Sequence, residues 1–255
     1  MLAWLKRSAG KSRAPKERGE FECLMARARV LKERENVAGL RDLIKIVLRP
    51  VQSLHMRDAY LKEPHKAVGS LFWSESLGLE RVIPGINKRL IDFVWSNECL
   101  VEDKSLYPSL NLASSVTLPT SWSPASIVAN LGRIGEGLPG GPFQQSSNHS
   151  VMLSYPLDIG WVANGNHSLI QAILRGQGHV IPTEVHDLSQ LIELVKFDGR
   201  EWRSILTEDV LGVPAYPEFG WVWEIGRLIS SIEVSPYKEA ISHQTSSDKS
   251  ELTIL

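Results

Sequence analysis

An anion-binding turn is indicated by four consecutive residues: Gly165, Asn166, His167 and Ser168. Apolar residues before the turn follow a strand pattern and those after it a helical one, so a helix begins here. The first amides of a helix have no intrahelical acceptor and lie at the positive end of its dipole. With their side-chain donors and a glycine that lets a ligand approach the backbone, these four residues are predicted to bind phosphate or a nucleotide.

A second copy of the tripeptide Asn-His-Ser occurs at 148–150, at the start of a predicted strand at 149–155. A turn near 156–158 separates it from a strand at 159–164 that leads into the first copy. If the two strands pair antiparallel, His149 lies beside the turn that contains His167. Imidazoles serve as acids or bases near neutral pH, and helix amides stabilise an oxyanion. His149 and His167 are therefore the candidate catalytic residues of a phosphodiester or nucleotide hydrolase.

Simpler interpretations of the same residues stay open. Asn166 or Ser168 could cap the helix with the rest a polar turn, and the repeated tripeptide could be a coincidence. If the ligand is a nucleotide with Mg²⁺, the carboxylates that could approach are Glu136, Asp158 and Glu184. Glu184 and His186 alternate onto one face of a predicted strand, but two ligands are too few for a metal site, and none is assigned.

Residues around the turn resemble the ParB/sulfiredoxin-like fold. Its box of Gly, any residue, His or Arg, and Arg aligns with Gly165 to Ser168, followed by Ala172, Gly176 and the segment 180–182. The resemblance implies a mixed-sheet core and a nucleotide or phosphate ligand, with nuclease activity in some members. Ser168 replaces the box arginine, which favours binding over turnover, and Asn166 replaces the sulfiredoxin cysteine. The chain is also similar to an uncharacterised bacterial family with a Gly-Asn-His-Ser box.

Composition is that of an ordinary globular protein, with 43% hydrophobic and 22% charged residues among 255. The net charge of −1 argues against a molecule covered in positive charge for nucleic acid. A basic N-terminal arm at residues 1–20 is the candidate for contact with DNA, and a solvated tail is the simpler interpretation of the same charges. Cys23 and Cys99 lack metal-type spacing, which predicts buried thiols in a reducing compartment. No apolar run approaches the roughly 20 residues that cross a bilayer, so a cytoplasmic protein without membrane contact is predicted.

Helical and strand patterns predict an α+β protein with a ParB-like core. The core contains, in order, strand 115–118, helix 124–134, strands 149–155 and 159–164, helix 167–175 and strand 180–185. The predicted regions are a flexible basic arm at 1–20, a helical extension at 21–105, the core at 106–197, a C-terminal helical cover at 198–242 and a frayed tail at 243–255. A non-catalytic module that binds protein or DNA is the alternative function for this architecture.

Overall fold

The computed structural model describes residues 14–61, 73–120 and 124–241. Helices and strands mix along these ranges, and the predicted α+β class is confirmed. The α-helices are α1 (Ala14–Glu33), α2 (Val37–Leu61), α3 (Trp73–Leu77), α4 (Leu90–Trp95), α5 (Pro124–Asn130), α6 (Asn166–Arg175), α7 (Ser189–Leu194) and α8 (Pro217–Ser230). The strands are β1 (Leu110–Asn111), β2 (Val116–Leu118), β3 (Ser150–Tyr155), β4 (Ile159–Asn164), β5 (His179–Val180), β6 (Glu184–Asp187), β7 (Val195–Phe197), β8 (Trp202–Ser204) and β9 (Val210–Gly212).

A four-stranded mixed sheet with the order β2-β4-β3-β6 occupies the middle of the molecule. Its centre is the predicted antiparallel hairpin of β3 and β4, in which Ser154 pairs with Ile159. Strand β2 runs parallel to β4, and β6 runs parallel to β3. Because the hairpin lies inside the sheet, each of its two strands also pairs with an outer strand.

Both faces of this sheet are buried, since β3 and β4 send alternate side chains into two apolar clusters. Met152 and Trp161 lie in the larger cluster, together with residues of α1, α2 and α8. Val151, Leu153 and Val162 lie in the second cluster, together with residues of α6. Burial on two sides explains the nearly continuous apolar sequence of both strands.

Helix α2 continues through Pro50 without ending there. A proline inside a helix costs about 3 kcal/mol because it removes an amide donor and crowds the preceding turn. Leu40, Ile44, Leu48 and Val51 are all buried in the larger cluster. We infer that packing of this face offsets the cost of the proline.

Other predicted elements differ from the structure in their limits. The strand predicted at 180–185 is divided: β5 pairs with β1, and β6 pairs with β3. Pro182 lies in the interruption and cannot donate a ladder hydrogen bond. The helix predicted at 124–134 ends at Asn130. The three-stranded sheet β7-β8-β9 was not predicted, and two of its strands lie in the region assigned to a C-terminal helical cover.

The termini are only partly described. Residues 14–20, which were predicted to belong to the basic arm, form the first turns of α1. Residues 1–13 and the predicted tail at 243–255 lie outside the described residues, so DNA contact through the arm stays a prediction. Among the described helices, none combines the length and apolar character needed to cross a membrane.

Candidate functional site

The predicted turn connects β4 to α6, and Gly165 occupies its left-handed position with φ +80°. A Cβ added at Gly165 would lie 2.5 Å from His149 Cδ2 and 3.1 Å from His149 Cα. The glycine is therefore needed for its backbone conformation and for the close approach of His149. The approach of a ligand was the predicted reason, but at this position the imidazole fills the space.

Pairing of the hairpin brings the two Asn-His-Ser tripeptides together, as the sequence predicted. Ser150 at the start of β3 faces Asn164 at the end of β4. Next to this pair, Asn164 Nδ2 donates to Asn148 Oδ1 at 3.1 Å, and Asn164 Oδ1 accepts from the amide of Gly165 at 3.0 Å. Two consecutive amide hydrogen bonds thus connect Asn148, Asn164 and Gly165 at the open end of the hairpin, away from its turn.

His149 is 7% exposed and makes hydrogen bonds with both ring nitrogens. The amide of Ser146 donates to Nδ1 at 2.8 Å, so the neutral ring carries its proton on Nε2. Nε2 lies 2.7 Å from Ser168 Oγ and donates to it, while that hydroxyl donates to the carbonyl of Gly165 at 3.0 Å. In this arrangement the imidazole has no lone pair directed at Ser168, and it cannot take the proton of that hydroxyl.

Burial lowers the pKa of His149. The pKa of His167, which is half-buried, is also lowered by burial. A protonated ring loses solvation free energy when it is buried. Burial therefore favours the neutral form of each imidazole. Both rings are therefore neutral at pH 7, and the positive potential of the turn comes from the main chain of α6 rather than from imidazolium groups.

Neither predicted capping residue caps α6. The carboxamide of Asn166, which is 9% exposed, accepts a hydrogen bond from the amide of Thr120 at 2.7 Å, and Ser168 is engaged with His149 and Gly165. The N-cap position makes no side-chain cap hydrogen bond. Within the described part of the chain, the amides of Asn166 and Ser168 have no hydrogen-bond acceptor. The helix therefore begins with two main-chain donors that no described residue accepts from, one on Asn166, which is buried, and one on Ser168, which is half-buried.

A chain of three polar side chains, which the sequence predicted only in part, is centred on His186 of β6; His186 and Cys99 are buried and Glu184 is exposed. His186 is 3% exposed, and its Nε2 lies 3.0 Å from Glu184 Oε2, which confirms that these side chains share a face. Its Nδ1 lies 3.4 Å from Cys99 Sγ. No local spacing could reveal the cysteine, because it is 87 residues away in sequence. The hydrogen bond from His186 is the main reason why the pKa of Glu184 is lowered.

The two cysteines have opposite environments. Cys99 is buried, and burial raises the pKa of its thiol far above the ordinary range. Since the thiolate is the reactive form, Cys99 is inert despite its neighbouring imidazole. Cys23 is exposed on α1, so the prediction that both thiols are buried is wrong for Cys23. Spacing alone does not reveal which side of a helix faces solvent.

The carboxylates considered for Mg²⁺ do not form a ligand group. Asp158 pairs with Arg41 at 2.8 Å, and Glu184 pairs with His186. Across residues 14–61, 73–120 and 124–241, no group of three or more histidine, cysteine, aspartate and glutamate side chains is placed to hold a metal ion. Any Mg²⁺ that accompanied a nucleotide would therefore depend on phosphate oxygens and water for most of its ligands.

Comparison with known proteins gives one match. The model of a family described as "Family of unknown function (DUF6710)" matches residues 6–235, which is most of the chain. No curated protein and no solved structure matches the sequence.

Proposed function

The chain belongs to DUF6710, a family of unknown function, and from its own geometry we propose that it binds phosphate, or the phosphate of a nucleotide, at the first turn of α6. The observation that carries this proposal is that no described residue accepts from the amides of Asn166 and Ser168, at the start of a helix without a side-chain cap. Amides at a helix start point toward a bound anion, and the helix dipole favours negative charge there. The order of elements around the turn supports a ParB/sulfiredoxin-like core as part of the same proposal.

Binding without turnover is the form of the function that the hydrogen bonds favour. Both nitrogens of His149 are occupied by Ser146 and Ser168, so His149 is not available as a general base. The turn also has no arginine where the resembling family has one, because Ser168 occupies that position. A hydrolase at this turn would need His167 as its acid and base, without the second histidine that the sequence suggested.

A matched pair of variants tests the proposal. His167→Asp places a carboxylate in the first turn, where it stabilises the helix by about 0.3–1 kcal/mol and repels an incoming anion. His167→Asn removes the same ring without adding charge. We expect phosphate and nucleoside mono- and triphosphates to raise the melting temperature of the wild type and of His167→Asn, but not that of His167→Asp. At a hundred times its dissociation constant, a ligand adds about 2.7 kcal/mol to the free energy of unfolding.

The measurement is a thermal-shift titration with inorganic phosphate, AMP and ATP, with and without Mg²⁺, and with sulfate as a second anion. A nucleotide effect larger than that of inorganic phosphate would assign the ligand class. If no anion stabilises the protein, or if His167→Asp responds as strongly as His167→Asn, the proposal is wrong. The interaction-module alternative, which needs no anion at this turn, would then replace it.

A further inference from the structure

A cleft of about 320 Å³ lies at the end of the β3–β4 hairpin opposite the α6 turn. It is bounded by α2, by the start of β2, by the turn at 156–158 and by the segment that follows α8. Its size is at the lower end of the range of small-molecule sites, about 300–1,000 Å³. The cleft shares no residue with the α6 turn, so its function is independent of the proposal above.

One side of the cleft is apolar and aromatic. Ile44, Leu110 and Leu153 line it together with the rings of Tyr155 and Tyr237. The two rings pack edge to face with centroids 5.3 Å apart, and both tyrosines are less than a tenth exposed. Such a wall holds a compact apolar group in a fixed orientation.

The hydroxyl groups of the two tyrosines on this wall differ in their hydrogen bonds. Tyr155 Oη donates to Glu233 Oε1 at 3.1 Å. Tyr237 Oη, in contrast, has no hydrogen-bond partner among the described residues. Burial raises the pKa of both phenols, so each keeps its proton at neutral pH. Tyr237 therefore offers the cleft a neutral hydroxyl that can donate or accept.

Charged groups of both signs meet at the other side. Arg41 is held by two carboxylates, Asp158 and Glu233, and its charge is compensated within the protein. Its Nε binds Asp158 Oδ2 at 2.8 Å, whereas Asp158 Oδ1 has no partner in the part of the chain that the structure describes. Among the described residues, Lys45 Nζ binds only Asp42 Oδ1, at 2.9 Å. That pair is exposed and one helical turn apart, so it contributes little, and the ammonium keeps donors for a ligand.

We propose that this cleft binds a free α-amino acid with an apolar side chain. The ligand ammonium lies at Asp158 Oδ1, its carboxylate accepts from Lys45, and its side chain packs against the tyrosine rings. A ligand with only a carboxylate would place a like charge beside Asp158, and a ligand with only an amine would place one beside Lys45 and Arg41. A zwitterion is the class that satisfies both groups within one cleft of this size.

Calorimetric titration of the full chain tests the charge requirement directly. The ligands are L-leucine, L-isoleucine and L-phenylalanine, compared with N-acetyl-L-leucine, which lacks the ammonium, and L-leucinamide, which lacks the carboxylate. We expect at least one free amino acid to bind, and each blocked derivative to bind about tenfold more weakly or worse, because a hydrogen bond to a charged group is lost. Absence of binding by all three amino acids up to about 10 mM, or equal binding of the blocked forms, would overturn the proposal.

Two variants distinguish the role of Lys45 in ligand binding from its role in the surface ion pair with Asp42. Lys45→Met removes the ammonium that the ligand carboxylate needs, and we expect affinity to fall about tenfold. Asp42→Asn breaks the same surface pair but leaves Lys45 in place, so affinity stays equal or rises. Asp42 is exposed and Lys45 is partly exposed where it lines the cleft, so we expect both variants to fold, which circular dichroism and the melting temperature verify. Equal affinity of Lys45→Met and the wild type would contradict the assignment.

Discussion

His149 Nε2 donates to Ser168 Oγ across 2.7 Å, and this bond joins the residue before β3 to the first turn of α6. The hydroxyl of Ser168 in turn donates to the carbonyl of Gly165. The start of the hairpin is therefore joined to the start of the helix by a hydrogen bond between one side chain of each, His149 and Ser168. The contribution of this hydrogen bond to stability can be measured.

Ser168→Ala is expected to lower the free energy of unfolding by about 1–3 kcal/mol, because a largely buried Nε2–H loses its acceptor. His149→Ala removes the donor as well as the ring. In a double-mutant cycle measured by urea unfolding, the two changes should couple by about 0.5–1.5 kcal/mol. Additive effects of the single changes would show that the bond contributes nothing to stability.

Gly165→Ala is expected to be more costly than Gly176→Ala. Both glycines are left-handed, with φ +80° and +62°, so each substitution costs about 1–2 kcal/mol in backbone strain. At Gly176 the nearest atom to a new Cβ is 3.7 Å away, whereas at Gly165 the Cβ would meet His149 at 2.5 Å. The clash should add about 1–3 kcal/mol. Urea unfolding of the two variants makes the comparison, and equal losses would rule out the packing argument.

Stability should fall as the pH drops below about 6.5, the ordinary histidine pKa. Burial lowers the pKa of His149 and His167 in the folded protein, so the unfolded chain binds more protons in this range. Unfolding free energy therefore rises with pH until the unfolded histidines are neutral.

The double variant His149→Gln/His167→Gln should flatten this pH dependence, measured as the difference in unfolding free energy between pH 7.5 and 5.5. His179, which is exposed, provides the control, and His179→Gln should leave the difference unchanged. An unaltered slope in the double variant would mean that other groups govern the response to acid.

A thiol-specific reagent should modify one cysteine quickly in the folded protein and two after unfolding. Cys23 is exposed on α1, whereas Cys99 is buried with its thiol beside His186. Cys23→Ser should abolish the fast reaction and leave the slow one. Rapid labelling of Cys99 in that variant would show that its surroundings open readily.

Local patterns along the chain were sufficient to predict the strand, turn and helix around Gly165 and the pairing of β3 with β4. These features depend on residues within about 20 positions of one another, where periodicity and turn chemistry are informative. The α+β class follows from the same patterns.

Contacts between distant segments decided the rest. The proton on His149 is fixed by Ser146, the carboxamide of Asn166 is taken by Thr120, and Cys99 meets His186 only because a β-bridge joins Leu100 to that residue. Strands of two or three residues, as in β7-β8-β9, are too short for a periodic signal. Residue types were thus sufficient to locate the turn that we propose binds an anion, but only tertiary structure determined which of its polar groups already have partners, because a hydrogen bond depends on the position of its partner in space.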